Sequence, residues 1–480
     1  MKSIPILSLS WRFFFVAVLL PLWAAAEPQP VTVTVAGGVS GSVLPPRFLG
    51  LSYESSMLLP RGGRYYFDAH NQALINTFRT LGIKSLRVGA NAVDNPKVPV
   101  PQEKDIDQLF DFARAAGVKV IYSFRLKNGD PATSARLAAY LSAHDADWLD
   151  SFAIGNEPSF YLNVFDSYFA LWKKHYDAIL KMVPNAKFDG PCTGEKKSYS
   201  VAFAKALRSH EHLAMASDHF YFLGNGRTAE SNQPLARASF LSNHVHAEYQ
   251  AIYTQIVAKL ASMGVAYRID EMNSCSHGGA LNVSDSYAAT LWSLDCSHWW
   301  ATHGILGLNF HTGESVSHGT TFGAVNYAAF MQNQAGPGFV MRPQAFGLLA
   351  FTQGAHGRSL PVQSQANPAF DFNAYAYRDA DGSVYLTLIN KSYGDHSHLA
   401  EVTLHLPSDV SVQHGQRMDL IQENQNVGAK TGVNLGGAAI SLDGDWQGQW
   451  SDCGGGVVKV APASAAIFHF PAATATTPRS

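Results

Sequence analysis

The residues able to do chemistry lie in two short stretches. Phe152-Ala-Ile-Gly-Asn156-Glu157-Pro158 is an apolar run that ends in a glycine, an amide, a carboxylate and a proline. Tyr267-Arg-Ile-Asp270-Glu271-Met-Asn273-Ser-Cys275 repeats the design, with carboxylates and then small polar residues after an apolar start. Two glutamates that meet can divide the labour, one giving a proton and the other attacking as a nucleophile. Double displacement at a glycosidic carbon asks for two carboxyl groups about 5–5.5 Å apart. The competing reading of Asn156-Glu157-Pro158 is a helix N-terminus, with Glu157 near the first turn.

Elements must bring the two acids together. The short apolar runs read as strands of a parallel sheet buried on both faces. Pro158 lacks an N–H and stops its strand, which leaves Glu157 where that strand reaches the surface. A βα unit takes about 30 residues or more, so the separation of Glu157 and Glu271 fits about three units. Two strand ends three units apart on an eight-stranded barrel can face each other across its mouth, and the C-terminal rim is where such barrels collect functional groups.

The rest of the chain supplies that rhythm. Strands are expected at 48–54, 85–89, 118–124, 152–156, 187–192, 215–221, 267–273 and 305–311. Helices are expected at 69–81, around Ile106 to Ala113 with Gly117 as cap, and at 132–143, 164–183, 199–209, 238–262 and 285–301. Eight alternations predict an α/β fold, a (β/α)8 or TIM barrel, over residues 45–345. After about residue 350 the pattern becomes short alternating strands with Gly, Asp and Asn between them, as in Asp379-Ala-Asp381-Gly382. That predicts an all-β sandwich over 346–472. Val31, Val33 and Val35 alternate with no helix after them, so residues 27–44 are expected to join the β-domain. The Ala/Thr/Pro-rich end, 473–480, is expected to be disordered.

Composition narrows the classes. The chain has 480 residues, 46% hydrophobic and 15% charged, with net charge −2. That is enough for a large core and two domains, and it lacks the basic surface of a nucleic-acid or polyanion binder. Lys173-Lys174 and Lys196-Lys197 are the only Lys-Lys pairs and read as solvated faces. Lys2 and Arg12 precede the apolar run Phe13 to Trp23, and Ala24-Ala25-Ala26 offers a cleavage site. Residues 1–26 therefore read as a signal peptide, which predicts a secreted or periplasmic protein with no membrane attachment after cleavage, an uncleaved anchor being the competing reading. Four cysteines remain, Cys192, Cys275, Cys296 and Cys453. Their spacing matches no zinc pattern. Cys275 and Cys296 either pair or are two buried free thiols.

Five pieces, in this order, resemble glycoside hydrolase family 79, the β-glucuronidase and heparanase family. They are Gly155-Asn156-Glu157-Pro158; Asp218-His219-Phe220-Tyr221 followed by Gly226-Arg227-Thr228; Asp270-Glu271 through Ser276-His277-Gly278-Gly279; Gly323-Ala324-Val325-Asn326-Tyr327; and the trailing β-domain. The resemblance covers most of the chain beyond the leader. It implies a retaining β-glycosidase with Glu157 as acid/base and Glu271 as nucleophile. Of exo action on β-glucuronosides and endo cleavage inside heparan sulfate, the exo reading is preferred, because a polyanion groove wants clustered Lys and Arg and the rim segments are poor in both. A carbohydrate is the implied partner. Neither a metal nor an organic cofactor is called for, since two carboxylates suffice.

The resemblance also assigns neighbours. Asn156 can bond the sugar 2-OH or cap its strand. Tyr221 can donate to Glu271, and His219, two residues earlier on the same strand, faces the same side or is a core histidine. Arg87 either holds the nucleophile or supports the barrel. Glu54 and Tyr327 match positions where the family touches its sugar, or serve the structure instead. Ser276 departs from the pattern: a tyrosine that grips the uronate carboxylate commonly stands there. Gly278 keeps the glycine whose N–H is offered to that carboxylate. Either His277, cationic at mildly acidic pH, replaces the lost donor, or the sugar is a neutral glucoside or xyloside. A sugar-binding protein on an inactive barrel is the third reading, and two retained, mutually repelling glutamates speak against it.

Overall fold

The computed structural model describes residues 27–38, 41–194, 198–207, 209–318 and 321–473. The expected signal peptide, residues 1–26, lies outside them, as do Lys196, Lys197 and residues 474–480 of the expected tail. Among the described residues no helix is long and apolar enough to cross a membrane.

Eight parallel strands close into a barrel: Leu49–Glu54, Ser85–Gly89, Lys119–Phe124, Leu149–Ile154, Phe188–Thr193, Leu213–Tyr221, Tyr267–Asn273 and Gly307–His311. Their side chains are almost all buried, because helices cover the outside and the strands pack the inside. Local signals set the helix ends. Gly117 takes φ 76° and caps Glu103–Ala116, and the Asp130 side chain accepts from Ala132 and Thr133 at the start of Pro131–His144.

The expected helix over 238–262 is interrupted. Gln233–Leu241 stops, and the chain re-enters a helix at Val245, with a π-helical stretch at Tyr253–Val257. Asn243 causes the break by leaving the helix for the β-domain. Its backbone N–H donates to Asp371 Oδ1 at 2.8 Å, and its side-chain oxygen accepts from Asn373 Nδ2 at 2.8 Å.

Two hairpins follow the last barrel strand, pairing Val316–His318 with Thr321–Gly323 and Phe330–Gln332 with Phe339–Met341. The sequence reading held no strands there. The helix Pro343–Gly354 comes next and packs along Tyr287–Thr302, both nearly wholly buried.

The β-domain is two packed sheets. One has the order Val362–Gln365, Gln29–Val35, Ala400–His405, Val457–Val460. The expected N-terminal strand thus sits inside this sheet, antiparallel to Val362–Gln365 and parallel to Ala400–His405. The other sheet is seven-stranded and has two buried faces. Ala376, Leu386, Leu388 and Phe468 face Val31, Val33 and Val402 in the sandwich core. Tyr375, Tyr377, Ile389 and Ile467, one residue out of phase, face the barrel's core. All four cysteines are buried free thiols, so the Cys275–Cys296 bridge does not form. Cys275 lies among Ser274 and Ser284, whereas Cys296 lies against Tyr249.

One ion pair locks barrel to sandwich. Asp295, on the buried helix, accepts from Lys391 Nζ at 2.8 Å, His246 Nε2 at 2.9 Å, Asn373 Nδ2 at 3.0 Å and Tyr375 Oη at 2.7 Å. Burial would raise its pKa, but Lys391 and His246 hold it far below the usual carboxylate range. Asp295→Asn strands Lys391 as a buried lone cation and should cost about 3–5 kcal/mol. Urea unfolding should show this as a lower midpoint at unchanged slope. The paired change Asp295→Leu with Lys391→Met should recover much of the loss.

Candidate active site

The candidate acids stand on the fourth and seventh strands of the barrel and meet across its rim. The strand Leu149–Ile154 ends before Glu157, which takes the left-handed conformation (φ 45°, ψ 51°) and starts the short turn Pro158–Phe160. Both sequence readings of this stretch thus hold in part: a strand end, followed at once by a single helical turn. The left-handed conformation is costly for a residue with a Cβ. It is held by the Glu157 N–H, which donates to Cys192 O at 2.8 Å on the next strand. Glu271 lies within the strand Tyr267–Asn273 and is 4% exposed.

An irregularity in the barrel aligns a third residue with them. The pairing of Leu213–Tyr221 with Tyr267–Asn273 slips between Asp218 and His219, which sets His219 opposite Glu271. His219 Nδ1 then lies 3.1 Å from Glu157 Oε1 and 4.0 Å from Glu271 Oε2. One carboxylate oxygen from each glutamate and a ring nitrogen of His219 all lie within 4.8 Å of one another.

Glu271 is gripped from several sides. Arg87 Nη1 donates to its Oε2 at 2.5 Å, and Tyr221 Oη donates to its Oε1 at 2.7 Å. Arg87 Nη2 also donates to Asn156 Oδ1 at 2.8 Å, so one guanidinium spans the nucleophile candidate and its amide neighbour. Burial alone would raise the pKa of Glu271; His311, His219 and Arg87, with the Tyr221 hydroxyl, hold it far below the usual range. Burial keeps His311 itself below its ordinary value, so the standing positive charges near neutral pH are Arg87 and His219. Burial opposes the charge on His219 as well, yet Glu271 and Asp270 lift its pKa to about 10. Arg87 Nη2 and His219 Nε2 abut at 3.4 Å. Two cations tolerate that contact because Asp270 faces both, 3.6 Å from Arg87 Nε and 3.5 Å from His219 Nε2.

Glu54 accepts from the backbone N–H groups of Ala92 and Ser317, both at 2.7 Å. Burial nonetheless pushes its pKa up to about 8, with the Glu271 charge adding to the rise, so it keeps its proton at neutral pH. The Tyr327 ring stands 6.1 Å from that of Tyr221 and 5.9 Å from that of His311. Ser276 and His277 lie on the rim, Ser276 Oγ donating to Gly224 O at 3.2 Å and standing 2.9 Å from His277 Nδ1. Gly278 has φ 84°, and a Cβ there would meet Ala324 O at 2.2 Å, so only glycine fits.

A cavity of about 960 Å³ is lined by Glu54, Asn156, Glu157, His219, Tyr221, Glu271, Ser276, His277, Gly278 and Tyr327. Arg87 does not line it; its side chain is fully buried beneath. Sequence reasoning missed three residues that matter here. His311 ends the last barrel strand, 3.9 Å from Glu271. Asp270 was seen beside Glu271 but given no role. Asp94 accepts from the backbone N–H groups of Leu126, Lys127 and Asn156 and from the Tyr161 hydroxyl, all at 2.8–2.9 Å, and so holds the Asn156 loop. The polar residues Asn91, Asp94 and Asn95 just after the second strand were the available signal.

Among the described residues two donor sets have spacing that a metal ion could use, Glu157–His219–Glu271 and Cys192–His219–Asp270. His219 is shared by both and already faces a carboxylate of each, and the Arg87 cation stands against Glu271 in one and Asp270 in the other. The geometry suits a proton donor and a nucleophile acting on one bond.

Fold and site together define a (β/α)8 barrel with facing carboxylates and an attached β-sandwich. No family model matches the chain, and no curated protein matches its sequence. Solved structures do. A 4-O-α-L-rhamnosyl-β-D-glucuronidase from Fusarium oxysporum 12S is similar at TM-score 0.69 and 18% identity, over 91% of this chain and 99% of that one. A GH51 arabinofuranosidase from Xanthomonas axonopodis pv. citri matches at TM-score 0.65 and 13% identity, over 92% and 100%. A monomeric β-xylosidase from Caulobacter crescentus CB15 matches at TM-score 0.60 and 13% identity, over 92% and 99%. At these identities the likeness is one of fold.

The charge of His219 has a thermodynamic signature. Its pKa rises from 6.5 to about 10 on folding, so its stabilisation is complete below pH 6.5 and disappears as pH rises through about 10. The stability gap between wild type and His219→Gln, measured by denaturant titration, should be widest below pH 6.5 and narrow steadily toward pH 10. A gap that widens with rising pH would show His219 to be neutral in the folded protein.

Proposed function

We propose that this chain is an exported, retaining exo-β-glycosidase of the β-glucuronidase type. The observation that carries the reading is the spacing of the two acids, whose nearest oxygens lie within 4.8 Å of each other. Oxygens this close suit carboxyl groups about 5–5.5 Å apart, as used in double displacement, better than the about 6.5–9.5 Å of an inverting site.

The electrostatics divide the roles. Glu271, held ionised by Arg87, His219 and Tyr221, is the nucleophile that attacks the anomeric carbon. Glu157, 15% exposed and facing the cavity, protonates the leaving oxygen as that bond breaks. A covalent glycosyl–Glu271 intermediate results. Glu157 then takes a proton from water, which attacks the same carbon and restores both residues. Asn156, held by Arg87, Asp94 and Asn91, is the residue that bonds the 2-OH in this reading.

Several features support a uronoside. The protonated Glu54 removes a negative charge that would repel a sugar carboxylate. His277 on the rim offers an imidazole where the usual tyrosine is replaced by Ser276. One structural relative is a β-D-glucuronidase by name. The alternative, a neutral β-glucoside or β-xyloside, is favoured by Ser276 itself, whose hydroxyl is turned to Gly224 O and His277. Export rests on the leader pattern of residues 1–26.

Glu157→Gln and Glu271→Gln should each lower kcat/KM on nitrophenyl β-glycosides by about 10²–10⁴-fold or more. Wild-type turnover in either variant would remove that residue from the mechanism. A panel of nitrophenyl β-glucuronide, β-glucoside and β-xyloside should show the glucuronide cleaved fastest. Proton NMR of the first-formed sugar should show the β-anomer, and an initial α-anomer would end the retaining reading.

A further inference from the structure

The cavity has two unlike ends. At its floor Glu54, Tyr327 and His311 are each at most 2% exposed, and polar groups crowd around Glu271. Toward its mouth stands Phe160, whose side chain is 59% exposed. Phe160 ends the turn that Glu157 begins, and it lines the same cavity. The gap between ring and acid is open because residue 194 is glycine. A Cβ at Gly194 would lie 3.0 Å from Glu157 Oε1 and 3.1 Å from Phe160 Cε2, so the ring edge and the carboxyl oxygen flank one point.

A single exposed apolar residue is ordinary on a protein surface. This one has company and a rigid mount. Tyr161, half-buried, follows it on the cavity wall, and Val164, 56% exposed, lies just beyond. The Tyr161 hydroxyl donates to Asp94 Oδ2 at 2.8 Å, the same oxygen that accepts from the Asn156 backbone. The Lys127 ammonium lies 5.2 Å from the centroid of the Tyr161 ring. One buried carboxylate therefore fixes both the acid's neighbour and the turn that carries the ring.

We propose that Phe160 is the platform of an aglycone subsite and takes a flat apolar face, either a phenolic ring or the C–H face of a second sugar. The assignment rests on the glycosidase reading, in which Glu157 protonates the leaving oxygen. Whatever hangs from that oxygen must pass the side chains flanking Glu157 on the mouth side, and Phe160 is the most exposed aromatic among the cavity's lining. A ring of this kind stacks on aromatic or C–H faces and adds selectivity without a hydrogen bond. Gly194 keeps the acid and the platform from being separated by a side chain.

The test compares phenyl β-glycoside, a β-linked disaccharide and methyl β-glycoside, each with the glycones of the panel above, on wild type, Phe160→Ala and Phe160→Leu. Phe160→Ala should lower kcat/KM roughly three- to tenfold on the ligands with a flat leaving group, and leave the methyl glycoside unchanged. Phe160→Leu should recover part of the loss. Whether the phenyl glycoside or the disaccharide suffers more identifies the source of the flat face. Equal loss on the methyl glycoside, or no loss on either larger substrate, overturns the proposal. Calorimetric binding of phenyl and methyl β-glycosides to Glu271→Gln, with and without Phe160→Ala, separates the two readings. Weaker phenyl binding alone supports the platform even if wild type cleaves nothing, which would sink only the glycosidase reading. Unchanged phenyl binding overturns the platform and leaves hydrolysis standing.

Discussion

Two acidic side chains, Asp270 and Glu271, crowd around two cations, Arg87 and His219, at the mouth of a closed barrel, with Glu157 against the His219 ring. Each charge there has lost most of its water, and an isolated ion in such a place is several kcal/mol too costly to persist. The set survives because every member has an opposite neighbour within about 4 Å. Arg87 cannot move without releasing Glu271 and Asn156 together. Asp270 never faces the cavity, yet without it the contact between Arg87 and His219 would be repulsive. The site is better regarded as one electrostatic unit than as two acids with helpers, and the mutual arrangement of at least four strands is what assembles it.

That dependence extends outward. The seven-stranded sheet buries one face against the sandwich and the other against the barrel's helices. Asp295 draws partners from the barrel and from the β-domain into one buried cluster. The helices Tyr287–Thr302 and Pro343–Gly354, which this sheet covers, stand behind the strands that carry Glu271 and His311. The β-domain therefore braces the side of the barrel that carries Glu271 and His311, although none of its residues lines the cavity.

Much of this was legible in the chain, and the gaps have physical causes. The barrel strands announced themselves as short apolar runs ending in polar residues, and the amphipathic helices by their stripes. Pro343–Gly354 gave no stripe because it is apolar on every side, which is how a helix buried all round reads. The two hairpins after His311 hid because their strands are three residues each. The helix break at Asn243 could not be seen, since its cause is Asp371 and Asn373, far along the chain. Within the site, Glu157 and Glu271 stood out by position, whereas Asp270 and Asp94 act through residues that only folding brings near. The slip beside His219 is likewise a property of two strands at once.

The strand Gln29–Val35 lies between Val362–Gln365 and Ala400–His405. During synthesis it leaves the ribosome before the barrel exists, and its partners follow more than three hundred residues later. Until then its alternating valines have no sheet to enter, and their apolar face must be shielded by other means. Closure over so long a span of chain is slow, because the entropy of the loop is lost before the contacts form. The two sheets of the sandwich can thus be completed only after every strand of the barrel has been made.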